Sequence, residues 1–391
     1  MQSWQLKLVG YGAVLVAGGG LGLGLGRPLP AQAAAYRTVT TQKIAKHAYH
    51  RKGQHGAVYN RAHTKRVASL RAYPHTTWYA TQKATLRHGH AKGVYLYVAN
   101  ASRSVKGWVW HGYLKRGKAA FHLKYAKDAV ALDANTGKVV WAKNANHARP
   151  IASTSKIMTL YLTLKKVHSK SGSWHSIVKT NSRGLIAMGK NSSVGGFRFK
   201  AHHKYTVKEL YYAAYLDSSN NAAIALGKWV AGSNAKFIRQ MNAQAKAWHL
   251  GHAKYVSASG LENSDLRRYG YAYGTANANE VSPKDLAIVA RHLITKYPRV
   301  VVDGKIGAKT VNGQLCYNYN NLLPGRKYYR ASLNVDGLKT GYTPLAGYCF
   351  VGTAVRHDKH RVITVVLHDE NEFTETRSLM THAFAAKEMN Y

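Results

Sequence analysis

The sequence predicts two folding units: a small all-β module over residues 34–124, then an α/β domain over residues 125–391 in which helices pack on one antiparallel sheet. Three observations lead there. Between residues 34 and 124, short runs such as Thr77-Trp78-Tyr79-Ala80, Gly93-Val94-Tyr95-Leu96-Tyr97-Val98 and Gly107-Trp108-Val109-Trp110 alternate in polarity and are split by Gly, Asn and Ser, the pattern of closely spaced strands. No acidic residue occurs before Asp128, so the composition changes near Tyr125, where the second unit begins. Beyond that point strand patterns stand at both ends with helical periodicity between them, which brings the two ends into one sheet.

Residues 1–33 read as an export signal. Lys7 precedes an apolar, glycine-rich stretch from Leu8 to Leu25, and Ala31-Gln32-Ala33 fits the cleavage pattern, so the mature chain is expected to start near Ala34, secreted. A stretch this close to spanning length also fits an uncleaved N-terminal membrane anchor. The net charge is +41, from 57 Lys and Arg against 16 Asp and Glu, so the chain repels itself and should associate with polyanions. Apolar residues make up 46%, enough for a sizeable core, which excludes global disorder. Cys316 and Cys349 are the only cysteines, too few for a disulfide-built scaffold, and two buried thiols are expected rather than a bridge.

In the second unit, strands Ala129–Asp133 and Val139–Ala142 close on the turn Ala134-Asn135-Thr136-Gly137 and lead through Arg149-Pro150 to a helix starting at Ser153. A helix over Val207–Leu216 breaks at Asp217-Ser218-Ser219-Asn220 and resumes over Asn221–Val230; Asn234–Trp248 is amphipathic. Ser282-Pro283-Lys284-Asp285 joins a cap, a first-turn proline and an early acid at the head of a helix reaching Tyr297. Leu333–Leu338 leads into Lys339-Thr340-Gly341; strands Gly347–Val355 and Arg361–His368 follow, and a helix over Glu372–Tyr391 closes the chain.

The chemistry centres on Ser153 and Lys156. Positions three apart share a helix face, and a lysine held among apolar neighbours such as Ile157, Met158 and Leu160 loses its proton readily. The result is an amine able to activate a serine hydroxyl. Backbone N–H groups at the helix start favour developing negative charge. Two more short motifs follow in order, Ser218-x-Asn220 at a helix break and Lys339-Thr340-Gly341 on a strand. Taken singly, each has a structural explanation: Ser218 and Asn220 as helix caps, Lys339-Thr340-Gly341 as a strand end. Together, in this order, they define a serine acyl-transfer site.

These motifs, with Asp133-Ala134-Asn135-Thr136-Gly137-Lys138, Ser259-Gly260-Leu261 and Gly337-Leu338 before Lys339-Thr340-Gly341-Tyr342-Thr343, resemble the low-molecular-mass penicillin-binding proteins of the D-alanyl-D-alanine carboxypeptidase family, peptidase family S11, over residues 125–391. The resemblance implies a serine β-lactamase/penicillin-binding-protein-like fold and assigns roles. Ser153 attacks the penultimate D-alanine carbonyl, Lys156 takes its proton, and Ser218 relays a proton to the departing amine. The N–H groups of Ser153 and Tyr342 hold the oxyanion, Asn220 pairs with the substrate amide, Lys339 and Thr340 receive the terminal carboxylate, and Gly341 leaves room for extended substrate along the strand edge. The sequence departs from the common family wording at Ser219, where glycine is frequent, and at Asn221, where aspartate usually follows the asparagine.

Residues 43–115, through Gly107-Trp108-Val109-Trp110-His111-Gly112-Tyr113-Leu114, resemble bacterial SH3-like, GW-type wall-binding modules. The expected partners are therefore peptidoglycan stem peptides, anionic wall polymers at the basic module, and β-lactams as covalent inhibitors. No nucleic acid, metal or other cofactor is expected, and histidine pairs such as His88 and His90 lack metal-site companions. The family's frequent second β domain and amphipathic C-terminal anchor have no counterpart in the sequence, so the N-terminal module is the expected wall attachment. No Glu-x-x-x-Asn element for deacylation lies between Ser218 and Lys339; Glu262-Asn263-Ser264-Asp265 has the wrong spacing, which argues against fast β-lactam hydrolysis. A DD-endopeptidase or transpeptidase with the same site, or a non-catalytic wall binder, remains as an alternative.

Overall fold

The computed structural model describes residues 36–100 and 103–386; the expected export signal lies outside them. The described chain divides into two units, one ending at Ala120 and one starting at Phe121.

The first unit is a seven-stranded antiparallel sheet: β1 (Arg37–Arg51), β2 (Ala57–Tyr59), β3 (Arg66–Ser69), β4 (Trp78–His88), β5 (Ala91–Ala99), β6 (Lys106–Trp110) and β7 (Leu114–Arg116), in the order β3-β2-β6-β5-β4-β1-β7. Val58, Trp78, Leu96, Val98 and Val109 are buried in its core. The sequence predicts short strands, but β1 runs for 15 residues and its register shifts twice against β4. Such bulges let a long strand bend and twist, which a run with little apolar alternation does not reveal.

In the second unit β8 (Asp128–Asp133), β9 (Val139–Lys143) and β10 (Arg149–Pro150) precede α1 (Lys156–Val167). The helical middle comprises α2 (Arg183–Lys190), α3 (Val207–Tyr215), α4 (Asn220–Ala231), α5 (Asn234–Ala247), α6 (Asn263–Leu266), α7 (Pro283–Lys296) and α8 (Arg299–Asp303). Interleaved with these helices are β11 (Ala253–Lys254) and β12 (Glu280–Val281), and after α8 come β13 (Ala308–Val311) and β14 (Gln314–Tyr317). The tail is β15 (Val335–Thr343), β16 (Gly347–Val355), β17 (Arg361–Asp369) and α9 (Glu372–Phe384).

The main sheet has the order β15-β16-β17-β8-β9, all antiparallel, so the two ends of this unit do meet in one sheet. Its central strands read as nearly unbroken apolar runs because both faces are covered. One face meets the helical core around α1, and the other meets α9 through Phe350, Val362, Val366 and Leu379. Helix α1 is buried nearly all round, which explains its run Ile157-Met158-Thr159-Leu160-Tyr161-Leu162. Each such aliphatic side chain contributes about 1.5–3 kcal/mol by leaving water.

Local chemistry sets the helix ends. Thr206 and Glu209 form a reciprocal capping box at α3, and Ser282 accepts from Asp285 N beside Pro283 at α7. Arg149, just ahead of the site, pairs with the fully buried Asp128 and ties the approach to the central sheet. Cys316 and Cys349 are free, buried thiols, and burial pushes both up to about 12.

Candidate active site

The turn carrying Ser153 departs in detail from the predicted helix start. Ala152–Ser155 forms a 3₁₀ turn, and α1 begins only at Lys156. In a 3₁₀ turn residues i and i+3 eclipse, so Ser153 and Lys156 are brought face to face. Ala152 has φ +45°, a left-handed conformation that is costly for a residue with a Cβ. The turn is held by its own hydroxyls: Thr154 Oγ1 donates to Ile151 O, and Ser155 Oγ donates to Ala152 O. Gly260, with φ +90°, lies against it so closely that a Cβ there would collide with Ala152 O.

Lys156 is fully buried. Its Nζ lies 2.8 Å from Ser153 Oγ, 2.6 Å from Asn220 Oδ1 and 2.7 Å from Ser259 O. Burial, reinforced by the Lys339 charge, holds this amine well below the usual lysine range, which favours its neutral form. A neutral amine has two N–H donors and one lone pair. Asn220 Oδ1 and Ser259 O accept both N–H bonds, which leaves the lone pair to accept from the Ser153 hydroxyl. The Asn220 orientation follows from its other end, where Nδ2 donates to Val194 O.

Ser218 sits at the break between α3 and α4 with φ +59°. The cap of α4 belongs to its neighbour: Ser219 Oγ accepts from Ala222 N at 3.3 Å and donates to Asn221 Oδ1 at 2.7 Å. Asn221 in turn donates to Leu185 O and Phe197 O, and accepts from Phe197 N. The two departures from family wording therefore hold each other and anchor the segment around Phe197. With the cap supplied by Ser219, the Ser218 hydroxyl faces the cleft and makes no hydrogen bond among the described residues.

Lys339, Thr340, Gly341 and Tyr342 lie on β15, the edge strand of the sheet beside the Ser153 turn. Lys339 is buried with Nζ 3.2 Å from Thr340 O. Burial lowers it to about 7, against a smaller upward pull from Asp217. Asp217 is pushed up to about 6 by its own burial, offset by the Tyr319 hydroxyl and by Lys339.

The structure adds to the work of two predicted residues. A Cβ on Gly341 would stand 2.9 Å from Thr154 N and 3.0 Å from Ser153 N, so the glycine also makes room for the nucleophile turn. Asn220 already uses one oxygen lone pair on Lys156 and one N–H on Val194, leaving its second N–H and the other lone pair for a ligand.

Ser153, Ser218, Asn220, Thr340, Gly341 and Tyr342 all line one cleft of about 680 Å³, which Lys156 and Lys339 reach from behind through Ser153 and Thr340. Three contributions are not read from the motifs: the Ser259 carbonyl, the Ser219 cap and the Asp217 charge. The first is backbone and has no residue-type signal. Asp217 was visible only as a rare acid directly before Ser218.

An antiparallel sheet flanked by helices, with this turn between its edge strand and the helical core, is the fold of the penicillin-binding proteins and serine β-lactamases. The family model for D-alanyl-D-alanine carboxypeptidase, peptidase family S11, matches residues 118–371, and the chain belongs to that family. It is 30% identical over 258 residues to the D-alanyl-D-alanine carboxypeptidase DacF of Bacillus subtilis, an alignment covering 64% of this chain and 59% of that protein. Its structure is similar to a peptidoglycan synthesis regulatory factor (PBP3) of Streptococcus pneumoniae (37% identity, TM-score 0.63, 67% of this chain and 72% of that one). It is also similar to penicillin-binding protein D2 of Listeria monocytogenes in its cefotaxime-bound form (31% identity, TM-score 0.54, 68% of this chain and all of that one).

Proposed function

We propose that the chain is a serine-type D-alanyl-D-alanine carboxypeptidase that removes the terminal D-alanine from peptidoglycan stem peptides. The observation that carries this is the buried Lys156 amine, held to Asn220 Oδ1 and Ser259 O and 2.8 Å from the Ser153 hydroxyl. Ser153 Oγ attacks the penultimate carbonyl while its proton passes to Lys156. The oxyanion is held by the N–H groups of Ser153 and Tyr342. Ser218, its hydroxyl uncommitted, relays the proton from Lys156 to the departing amine, and the C–N bond breaks to leave an acyl-enzyme. Lys339 and Thr340 hold the leaving residue's carboxylate. Water then attacks the ester, giving back Ser153 and the shortened peptide. β-Lactams enter the same sequence and leave an adduct on Ser153, as the cefotaxime-bound relative supports.

Mass spectrometry of pentapeptide muropeptides incubated with the protein tests this. Loss of one D-alanine, abolished by Ser153→Ala, is expected; cleavage of cross-linked dimers alone would favour the endopeptidase reading. A chain that neither cleaves peptides nor labels with fluorescent penicillin would be a wall binder only.

The basic first unit is proposed to hold anionic wall polymers. Residues 36–120 contain no acid, and a cleft of about 410 Å³ is lined by Tyr36, Tyr59, Tyr95, Trp110, Tyr113 and Lys92. Ring faces and cations suit a polymer of sugars or polyols bearing phosphate. Wall binding should fall steeply with salt, and salt-independent binding would count against it. Export is proposed on residues 1–33, with a secreted form beginning near Ala34 as the check.

A further inference from the structure

The cleft contradicts the composition of the chain. Cations outnumber acids 57 to 16, yet the cleft wall holds Asp217, Asp265 and Glu372 and no Lys, Arg or His. Elsewhere several acids are paired with a base: Asp128 with Arg149, Asp336 with Arg361, Asp303 with Arg299, Glu209 with His203. Among the described residues none of the three cleft acids forms an ion pair with a side chain. Asp217 faces Lys339, at the end of β15 that receives the substrate's carboxylate. Asp265 and Glu372 stand at the opposite end.

Register fixes that placement. Tyr342 pairs with Tyr348, and Tyr348 pairs with Asp369, three residues before Glu372. On the other side Thr343 Oγ1 donates to Glu262 Oε1 at 2.6 Å, and Asp265 follows Glu262 by three residues in α6. With the terminal carboxylate at Lys339 and the oxyanion at Tyr342, the rest of an extended donor peptide runs past Tyr342 toward these two carboxylates. The same end carries a second feature that selects cations. Tyr342 and Tyr348 are 54% and 45% exposed, with ring centroids 4.5 Å apart, and an exposed ring pair presents its negative faces to a positive group.

We propose that Asp265, Glu372 and the Tyr342–Tyr348 ring pair bind a free side-chain ammonium on the donor peptide, so that the enzyme selects stems whose diamino residue, third from the carboxyl terminus, is unacylated. In a stem that has served as the acceptor of a cross-link that amine is an amide and carries no charge, whereas the donor stem of the same cross-link keeps its own amine. The selection therefore turns the site away from acceptor stems. The protein's overall positive field opposes an ammonium-bearing ligand, and the two acids cancel it where the ligand must sit. The inference rests on the carboxypeptidase assignment of the same cleft.

The test uses the purified full chain and two synthetic pentapeptides ending in D-Ala-D-Ala, one with the lysine third from the carboxyl terminus free and one with that lysine Nε-acetylated. D-alanine release is expected to show kcat/KM higher by about 10–100-fold for the free amine, the range of a charged hydrogen bond. In Asp265→Asn/Glu372→Gln the ratio should collapse toward one, with thermal unfolding confirming the fold. Equal rates for the two peptides in the wild-type protein, which needs no variant to fold, would overturn the inference alone, as would a ratio unchanged in the double variant. Release from neither peptide would overturn the carboxypeptidase assignment and the inference with it.

Discussion

Lys156 and Lys339 are both buried behind one cleft, yet their surroundings prepare them for opposite tasks. Around Lys156 stand only neutral acceptors, the Asn220 oxygen and the Ser259 carbonyl, with Lys339 adding repulsion, so the neutral form that serves as a base is favoured. Around Lys339 burial does the same, but Asp217 pulls back and holds the group near neutrality, where it can still carry charge to a carboxylate. One acid, on the residue before Ser218, separates a base from an anion receptor. Desolvation sets the direction and the nearest charge sets the extent.

Breaking the first half of this contrast has the largest expected effect. Lys156→Met removes the base and should slow acylation of Ser153 by fluorescent penicillin by about 10²–10⁴-fold, while the protein still folds. Asp217→Asn acts on the second half. Without that charge Lys339 gives up its proton at lower pH, and a shift of one unit would cost about tenfold in kcat/KM on the alkaline side. In the wild-type protein, kcat/KM for D-Ala-D-Ala peptides should itself fall as pH rises through about 7, because Lys339 is charged below that value and neutral above it. A profile flat from pH 6 to 9 would contradict the assignment of Lys339. The smallest effect is expected at Ser219→Ala, which removes the α4 cap and a donor to buried Asn221. It should lower stability by about 1–2 kcal/mol in urea unfolding and leave the pH profile in place.

Much of this was legible in the sequence because the chemistry is carried by short contiguous words. Ser153-x-x-Lys156, Ser218-x-Asn220 and Lys339-Thr340-Gly341 came together in one cleft as their order implied, and the strands Gly347–Val355 and Arg361–Asp369 fell within a residue of their predicted bounds. The rest depends on contacts between distant residues. That Ser219 rather than Ser218 or Asn220 caps α4 turns on a backbone φ of +59°, which no residue type announces at a serine. That Gly341 serves the nucleophile turn shows only when Ile151–Thr154 is laid against β15. The second N–H acceptor of Lys156 is the carbonyl of Ser259, a group every residue has. The acids of the cleft stood in the sequence as Asp217, Asp265 and Glu372, but nothing in one dimension gathers them.

The protonation state of Lys156 tests the account most directly. An NMR titration of the lysine side-chain carbons in the full chain, with Lys156 assigned by its loss in Lys156→Met, should show this one amine unprotonated at pH 7. A Lys156 signal that stays protonated through pH 7 and titrates near 10 with the surface lysines would contradict it.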